Sequence, residues 1–428
     1  MRKPVLMIAA ISLVIGVAIS AMGGLEEGVV LTRDNWTEMV GFKPDLSNIT
    51  LKPGDMVDKN NLDQYGELVP DLVKILVEKY NLSMEYTDYK PIAPSDGYID
   101  ATNKYHRKLR IVDTGDKARE KGIFDYVAGL PFPNPQNGLE VAWNYQYAHN
   151  GDDADNYFAV YWISANRGVE RWEEWRWVYI VRAMHRTDIE PLPHIPELAK
   201  KDIQYSSLTV TQWPFDKKGF SALYSRFEEP KDQEGWIYIP SQRRATRFSF
   251  GTRGDAWNNT DLLYEDVRGY MGYPEWMNWK LVGKGTYLAP MHAGLSYGKE
   301  NIEKNFDFKN PPYWNPKMKW EPRSMYVVEA VPKFKDYPYS KMMCYIDAET
   351  YYMIFKSTYD KKGQLWKVLV QAFNDSPDPR KLPPAIGTAL AVDLQSEHAT
   401  VFPWYEMKAN IGLDPKTFSL TNLRKMGK

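Results

Sequence analysis

A single cysteine, Cys344, stands among 428 residues. One thiol excludes an internal disulfide and any cysteine-rich zinc site. Net charge is nearly absent as well, with 54 basic residues against 55 acidic ones. That balance argues against a whole-protein electrostatic footprint for nucleic acid. Histidine is scarce: there are six, and none makes the helical pair of a zinc protease. No Walker loop, dinucleotide glycine fingerprint or nucleophile elbow occurs. Beyond the first 24 residues, no apolar run is long enough to span a bilayer. The sequence therefore offers no convergent acid, base, nucleophile or metal set. It assigns no catalytic residue, no metal and no cofactor, and reads as a non-enzyme.

Aromatic side chains are abundant: 15 Trp, 29 Tyr and 16 Phe. They favour pleated, half-buried surfaces, which tilts the chain toward β structure. The start, "MRKPVLMIAAISLVIGVAISAMGG", has the layout of a secretory signal. Arg2 and Lys3 form the basic region, Val5 to Val17 the apolar region, and Ala18 and Ser20 the small residues read by a signal peptidase. Cleavage is expected after Ser20, with Gly23 as second choice. An uncleaved anchor is the alternative, because the apolar run is slightly long. No cysteine lies near the cleavage site, so a lipid-anchored mature N-terminus is not expected. Export without disulfides suits the periplasm of a Gram-negative bacterium, where a large core replaces bridges.

Residues 21–428 read as one domain, with a mixed, partly helical segment over 21–139 and an antiparallel sheet over 140–428. "LVPDLVKILVEKYNL" (Leu68 to Leu82) carries apolar residues at helical spacing. "KLRIVD" reads as a strand, and "DKAREKGIFDYVAG" (Asp116 to Gly129) as a helix. From Glu140 on, short aromatic runs recur between Gly, Pro, Asn and Asp, the pattern of a long antiparallel meander. Such a sheet needs cover on its inner face. The N-terminal helices and "DVRGYMGYPEWMNWK" (Asp266 to Lys280) are the candidates. The fold class is therefore α+β: a large curved antiparallel sheet, an incomplete barrel, with helices packed in its concavity.

Two stretches invite a ligand and resist it. "NGDDADN" (Asn150 to Asn156) lacks the glycine and final glutamate of an EF-hand loop, so a solvated acidic loop is favoured over calcium. "RWEEWRWVYIVRAMHR" mixes Trp with both charges, and a strand with one solvated face is favoured over nucleic-acid stacking. "WIYIPSQRRATRFSF" (Trp236 to Phe250) is a hairpin. A turn centred on Ser241-Gln242 sets Ile239 opposite Arg244, Tyr238 opposite Ala245 and Trp236 opposite Arg247. One face then carries Trp236, Tyr238 and Arg247, with Arg247 placed to lie over the Trp236 ring. The other carries Ile237, Ile239, Phe248 and Phe250, expected to face the concavity. Arg243 and Arg244 fall at the rim. Two readings stay open: cross-strand support with a soluble rim, or a basic rim beside an apolar cavity. Cys344, within "KMMCYID", is expected to be buried.

"GLPFPNP", "WIYIPSQRRATRFSF", "WKLVGK" and "YIDAETYYMIFKSTYDKKGQLWKV" occur in this order. Together they resemble the periplasmic family known as domain of unknown function 1329, over most of the chain from about residue 40. Its members are often described as outer-membrane lipoprotein-sorting-like. That family is similar in fold to the lipoprotein carriers LolA and LolB, curved incomplete barrels around a hydrophobic cavity. The resemblance implies a carrier or accessory for a lipid or sterol-like molecule. It also implies partnership with an RND-type inner-membrane exporter and an outer-membrane protein. The competing expectation is an adaptor subunit without its own ligand. The signal-like start generates a first prediction: protein recovered from a periplasmic extract begins at Ala21 or close to Gly24 by N-terminal sequencing. An intact Met1 in the membrane fraction is the contrary result.

Overall fold

Alternating large apolar and polar residues make strands along most of the chain after residue 150. The computed structural model describes residues 23–113, 122–228, 233–249 and 254–426. The signal-like segment and Phe250 lie outside them. Fifteen strands form one sheet: β1 (Met56–Val57), β2 (Met84–Tyr86), β3 (Asp153–Ser164), β4 (Gly168–Ile180), β5 (Ile203–Trp213), β6 (Ser221–Phe227), β7 (Glu234–Ile239), β8 (Arg244–Ser249), β9 (Met277–Ala289), β10 (Lys319–Pro332), β11 (Lys341–Asp347), β12 (Met353–Tyr359), β13 (Leu365–Asn374), β14 (Ala385–Asp393) and β15 (His398–Ala409). The longer helices are α1 (Asp71–Tyr80), α2 (Asp96–Tyr105), α3 (Gly138–Gln146) and α4 (Leu420–Met426). Among the described residues no helix is long and apolar enough to cross a membrane.

The sheet consists of two meanders, β3 to β8 and β9 to β15. They join where β15 pairs antiparallel with β3, His398 opposite Ser164. The sheet is large, curved and not closed, as expected for an α+β incomplete barrel. β8 ends one margin, and β9 flanks β10 near the other. The chain from β8 to β9 therefore has to cross the sheet, and its described part is residues 254–276.

One row of cross-strand partners shows what that crossing segment meets. Val328, Cys344, Lys356, Leu369, Ala391, Thr400 and Trp162 stand opposite one another in succession. Directly opposed residues share a face of a sheet. The polar members of this row grip the crossing segment. Trp162 Nε1 donates to the Asn259 carbonyl at 2.7 Å. Thr400 Oγ1 donates to Asp261 at 2.6 Å. Lys356 Nζ donates to Asp266 and to the Gly269 carbonyl. From neighbouring positions, Lys367 Nζ reaches the Asp261 carbonyl at 2.7 Å and His398 Nδ1 meets the Asp261 carboxylate at 2.7 Å.

The helices divide between the two faces. α3 packs against β9 and β10, and its Tyr145 hydroxyl donates to the Arg268 carbonyl at 2.9 Å. α2 starts at Ser95, whose hydroxyl accepts from the Tyr98 amide, and Tyr98 donates to the Tyr147 carbonyl. α1 lies on the face away from Lys356, with Asp71 beside Tyr345. Asn81, in the left-handed region, ends it. A buried guanidinium fastens the N-terminal segment. Arg323 donates to Asp347 at 2.8 and 3.1 Å, to Glu349 at 2.7 Å and to Glu321 at 3.2 Å. Glu349 in turn accepts from the Ile92 amide, and its carbonyl from Trp36 Nε1.

Three local expectations need correction. Gly122–Phe124 is a strand paired with Arg110–Val112, not part of a helix over Asp116 to Gly129, and residues 114–121 lie outside the described set. Ile111 opposite Ile123 supplies the β-branched pair that favours a strand. Glu173 and Glu174 are buried rather than solvated, each held by a lysine, Lys217 and Lys299. Asp152 and Asp153 are likewise buried. They accept backbone amides of Thr187, Asp188 and Ile189, and of Ile411 and Leu413. Cys344 is buried as expected, and burial pushes its thiol up to about 12.

The Lys356–Asp266 pair is 2% exposed at either residue. Breaking it strands a buried charge, which costs ~3–5 kcal/mol. Lys356→Met is expected to lose that much in urea unfolding, and the added Asp266→Asn change to restore part of it. Cys344, beneath the same segment, is expected to resist a thiol reagent in the folded wild type and to label faster in Lys356→Met. Unchanged stability in Lys356→Met removes the anchoring role.

Candidate functional site: an aromatic cavity beneath the crossing segment

The crossing segment does not fill the inner face. Between its anchors it leaves two cavities, with empty volumes of about 910 and 620 Å³ counting their open mouths. Trp177, Trp257 and Val267 line both and so form the wall between them. The larger cavity is bounded by Phe158, Met353, Leu369, Phe373, Ile386, Phe402, Trp404 and Met407. Alternation along each strand brings these side chains to one face. Their rings are locked: Phe158 stacks on Trp404 at 5.1 Å, and Trp257 on Phe402 at 5.8 Å. Packed aromatic pairs of this kind hold a rigid, apolar surface.

Few polar groups enter the larger cavity. Asp266 is committed to Lys356. The Tyr145, Tyr179 and Tyr352 phenols are raised by burial, Tyr145 to about 12, with Arg268 opposing the shift in each case. They are therefore neutral hydroxyls at ordinary pH. Arg268 itself is half-buried and has a positive φ of 61°. A non-glycine residue in that region is uncommon and concentrates at functional sites. Its carbonyl is pinned by Tyr145 at 2.9 Å and by Gln371 at 3.3 Å.

The hairpin of β7 and β8 has the expected register, with Arg244 opposite Ile239, Ala245 opposite Tyr238 and Arg247 opposite Trp236. Phe248 lines the smaller cavity. Its ring lies over Gly235, where a Cβ would come within 2.2 Å of it. Ile237 and Ile239 are half-buried, while Arg243, Arg244 and Arg247 are exposed. None of these five lines either cavity. Arg243, at φ 49°, closes the turn after Gln242. Arg247 donates to Glu234 Oε1 at 2.8 Å. The face with Trp236, Tyr238 and Ala245 packs beneath α4, against Phe418, Leu420 and Leu423. The i, i+3 spacing of Leu420, Leu423 and Met426 was the available signal for that helix. The strand aromatics of the larger cavity and Arg268 were not singled out. Their convergence is tertiary, although the Arg268-Gly269 pair inside an aromatic segment marks a turn.

A curved open sheet, a segment crossing its inner face and an apolar cavity between them define a cavity-bearing sheet protein. The chain belongs to the family described as protein of unknown function (DUF1329), whose profile matches residues 56–424. It is 24% identical over 327 residues to the uncharacterized protein PA3922 of Pseudomonas aeruginosa, across 73% of this chain and 67% of that one. Among solved structures it is similar to a candidate outer membrane lipoprotein-sorting protein domain from Vibrio parahaemolyticus, at 17% identity, TM-score 0.48, covering 67% of this chain and 98% of that one. A DUF1329 family protein from Desulfovibrio piger gives 17% identity, TM-score 0.47, and 67% and 97% coverage.

A half-exposed cavity wall and a fully buried one respond differently to charge. Phe248→Asp, in a half-exposed wall, is expected to leave the thermal midpoint within a few degrees of wild type. Phe158→Asp, at 1% exposure, places an unpaired carboxylate against Trp404 and is expected to lose more than ~3 kcal/mol. Thermal circular dichroism of both variants checks this. An unfolded Phe248→Asp protein places that residue in core instead.

Proposed function

We propose that this protein is a periplasmic carrier or accessory that binds hydrophobic cargo, a lipid or a sterol-like molecule, for an envelope transport system. One observation carries the reading: a large, aromatic-walled cavity held open beneath a pinned segment. Apolar space that its own side chains do not fill suits a ligand rather than a solid core. The signal-like N-terminus supports a periplasmic site of action. The function is binding, not catalysis. The hairpin residues Ile237, Ile239, Phe248 and Phe250 are proposed as an apolar margin of the cargo site, with Arg243, Arg244 and Arg247 as its basic rim.

A second reading has its own support. At the β5–β6 turn Phe215 is 89% exposed and Trp213 is 39% exposed, with Trp213 stacked on Trp172 at 3.8 Å. Exposed aromatics suit a protein partner. An RND-type inner-membrane exporter and an outer-membrane protein are the proposed partners, and an adaptor role without cargo is the alternative function.

The neutral fluorescent probe N-phenyl-1-naphthylamine tests the cavity. The wild type is expected to bind it with quenching of tryptophan emission. Ala389→Phe, which fills the larger cavity, is expected to weaken binding roughly tenfold or more. Native mass spectrometry of protein from its own host is expected to show a bound lipid. No probe uptake and no bound lipid replace the carrier by the adaptor.

A further inference from the structure

Arg268 stands between two spaces of opposite character. On one side is the aromatic cavity. On the other is a polar niche, about 420 Å³ of empty volume with its mouth, lined by Arg182, Arg226, Gln204 and Tyr205 as well as by Arg268 and Tyr145. Three guanidiniums thus converge on one niche, and no carboxylate lines it. Two of them are buried, Arg182 at 7% and Arg226 at 2% exposure.

Buried guanidiniums ordinarily meet carboxylates, as Arg323 does here. These do not. Among the described residues Arg182 donates only to the carbonyls of Gln146 and Ala148, at 3.2 and 3.0 Å, and it lies over the Tyr147 ring at 5.3 Å. Arg226 donates to the carbonyls of Met271 and Gly272, at 2.5 and 3.3 Å, and lies over the Tyr273 ring at 3.9 Å. Among the described residues Arg226 Nε and Gln204 Oε1 are buried without a hydrogen-bond partner. Arg268 meets no acceptor or carboxylate among the described residues. Two of the nearby acids are already committed: Asp266 to Lys356, and Glu228 to His185 at 2.8 Å and Gln204 at 3.1 Å. A buried guanidinium nitrogen left open beside two further guanidiniums with no carboxylate is costly, and an anion that accepts from these groups removes that cost.

We infer that the cargo is an amphiphile with a single anionic head, a carboxylate or a phosphate. The head occupies the arginine niche, and the apolar body lies in the aromatic cavity on the other side of Arg268. The inference rests on the carrier reading and adds the chemical class of the ligand. Arg268 has the geometry for the junction, because both cavities share it and Tyr145. Its main chain is held by Tyr145 and Gln371, while its side chain is free to pair bidentately with the head.

The test displaces N-phenyl-1-naphthylamine by laurate and by dodecanol, which share a chain and differ in head charge. Wild type is expected to prefer laurate by roughly tenfold to a hundredfold, the usual gain for charge-assisted hydrogen bonds. Arg268→Gln is expected to abolish that preference and leave dodecanol unchanged. Arg268→Lys, which keeps the charge, is expected to retain part of it. Equal affinity for both ligands in wild type, with the naphthylamine probe still bound, overturns the anionic head and spares the carrier reading. An undiminished preference in Arg268→Gln overturns the junction role. Inorganic phosphate binding as tightly as laurate makes the niche a free-anion site and overturns the amphiphile. Failure of every apolar probe to bind overturns the carrier reading and this inference together.

Discussion

A lysine on the inner face of a sheet is the constraint around which this structure is arranged. Lys356 stands in a row that otherwise reads Val328, Cys344, Leu369, Ala391. Its ammonium is buried, so it has to be met by a carboxylate or it costs several kcal/mol. Its own strand neighbours supply none. The carboxylate comes from Asp266, on a segment that has to cross the sheet because β8 and β9 lie toward opposite margins. Topology brings the segment over the inner face, and the lysine decides where it comes down.

The other polar members of the inner face act in the same way. Thr400, His398 and Lys367 converge on Asp261, and Trp162 takes the Asn259 carbonyl. The segment is thus fixed at 259–261 and again at 266–270. Beside those points Trp257 covers Phe402, while Leu262 and Val267 are too small to fill the rest of the space above Phe158 and Leu369. The cavities are the volume left over when a strap is held by polar anchors rather than by close apolar packing. The Arg323 cluster uses the same principle elsewhere, fastening the N-terminal segment through Glu349 to the β11–β12 turn.

How much of this was legible follows from the range of each signal. The β7–β8 register was readable because Pro240-Ser241-Gln242 fixes a turn, and a turn fixes its flanking pairs. The sheet class was readable from short aromatic runs between turn residues. The joining of two meanders through β15 and β3 was not, since it pairs His398 with Ser164 across most of the sequence. The helix expected after Asp116 failed because Ile123 found a strand partner in Ile111. Glu173 and Glu174 look solvated in a one-dimensional pattern, and only the fold brings Lys217 and Lys299 to them. The hairpin arginines drew attention because they are adjacent in sequence. Arg182, Arg226 and Arg268 are 44 and 42 residues apart in succession, and nothing local announces that they meet.

Ionic anchors also explain why the cavity persists. A strap held by apolar contacts alone can slide by a residue or settle inward at little cost, because one methyl contact resembles another. Sliding by one residue here separates Asp266 from Lys356 and Asp261 from Thr400 together, leaving a buried cation and a buried carboxylate unpaired. That penalty is steep and positional. Collapse into the cavity is opposed for the same reason, since Val267 cannot sink toward Leu369 without dragging its neighbour Asp266 off the lysine. The pair adds little net stability compared with a well-packed apolar substitute. What it supplies is position: an aromatic chamber on one side of Arg268, an arginine niche on the other, and a main chain that cannot drift to close either.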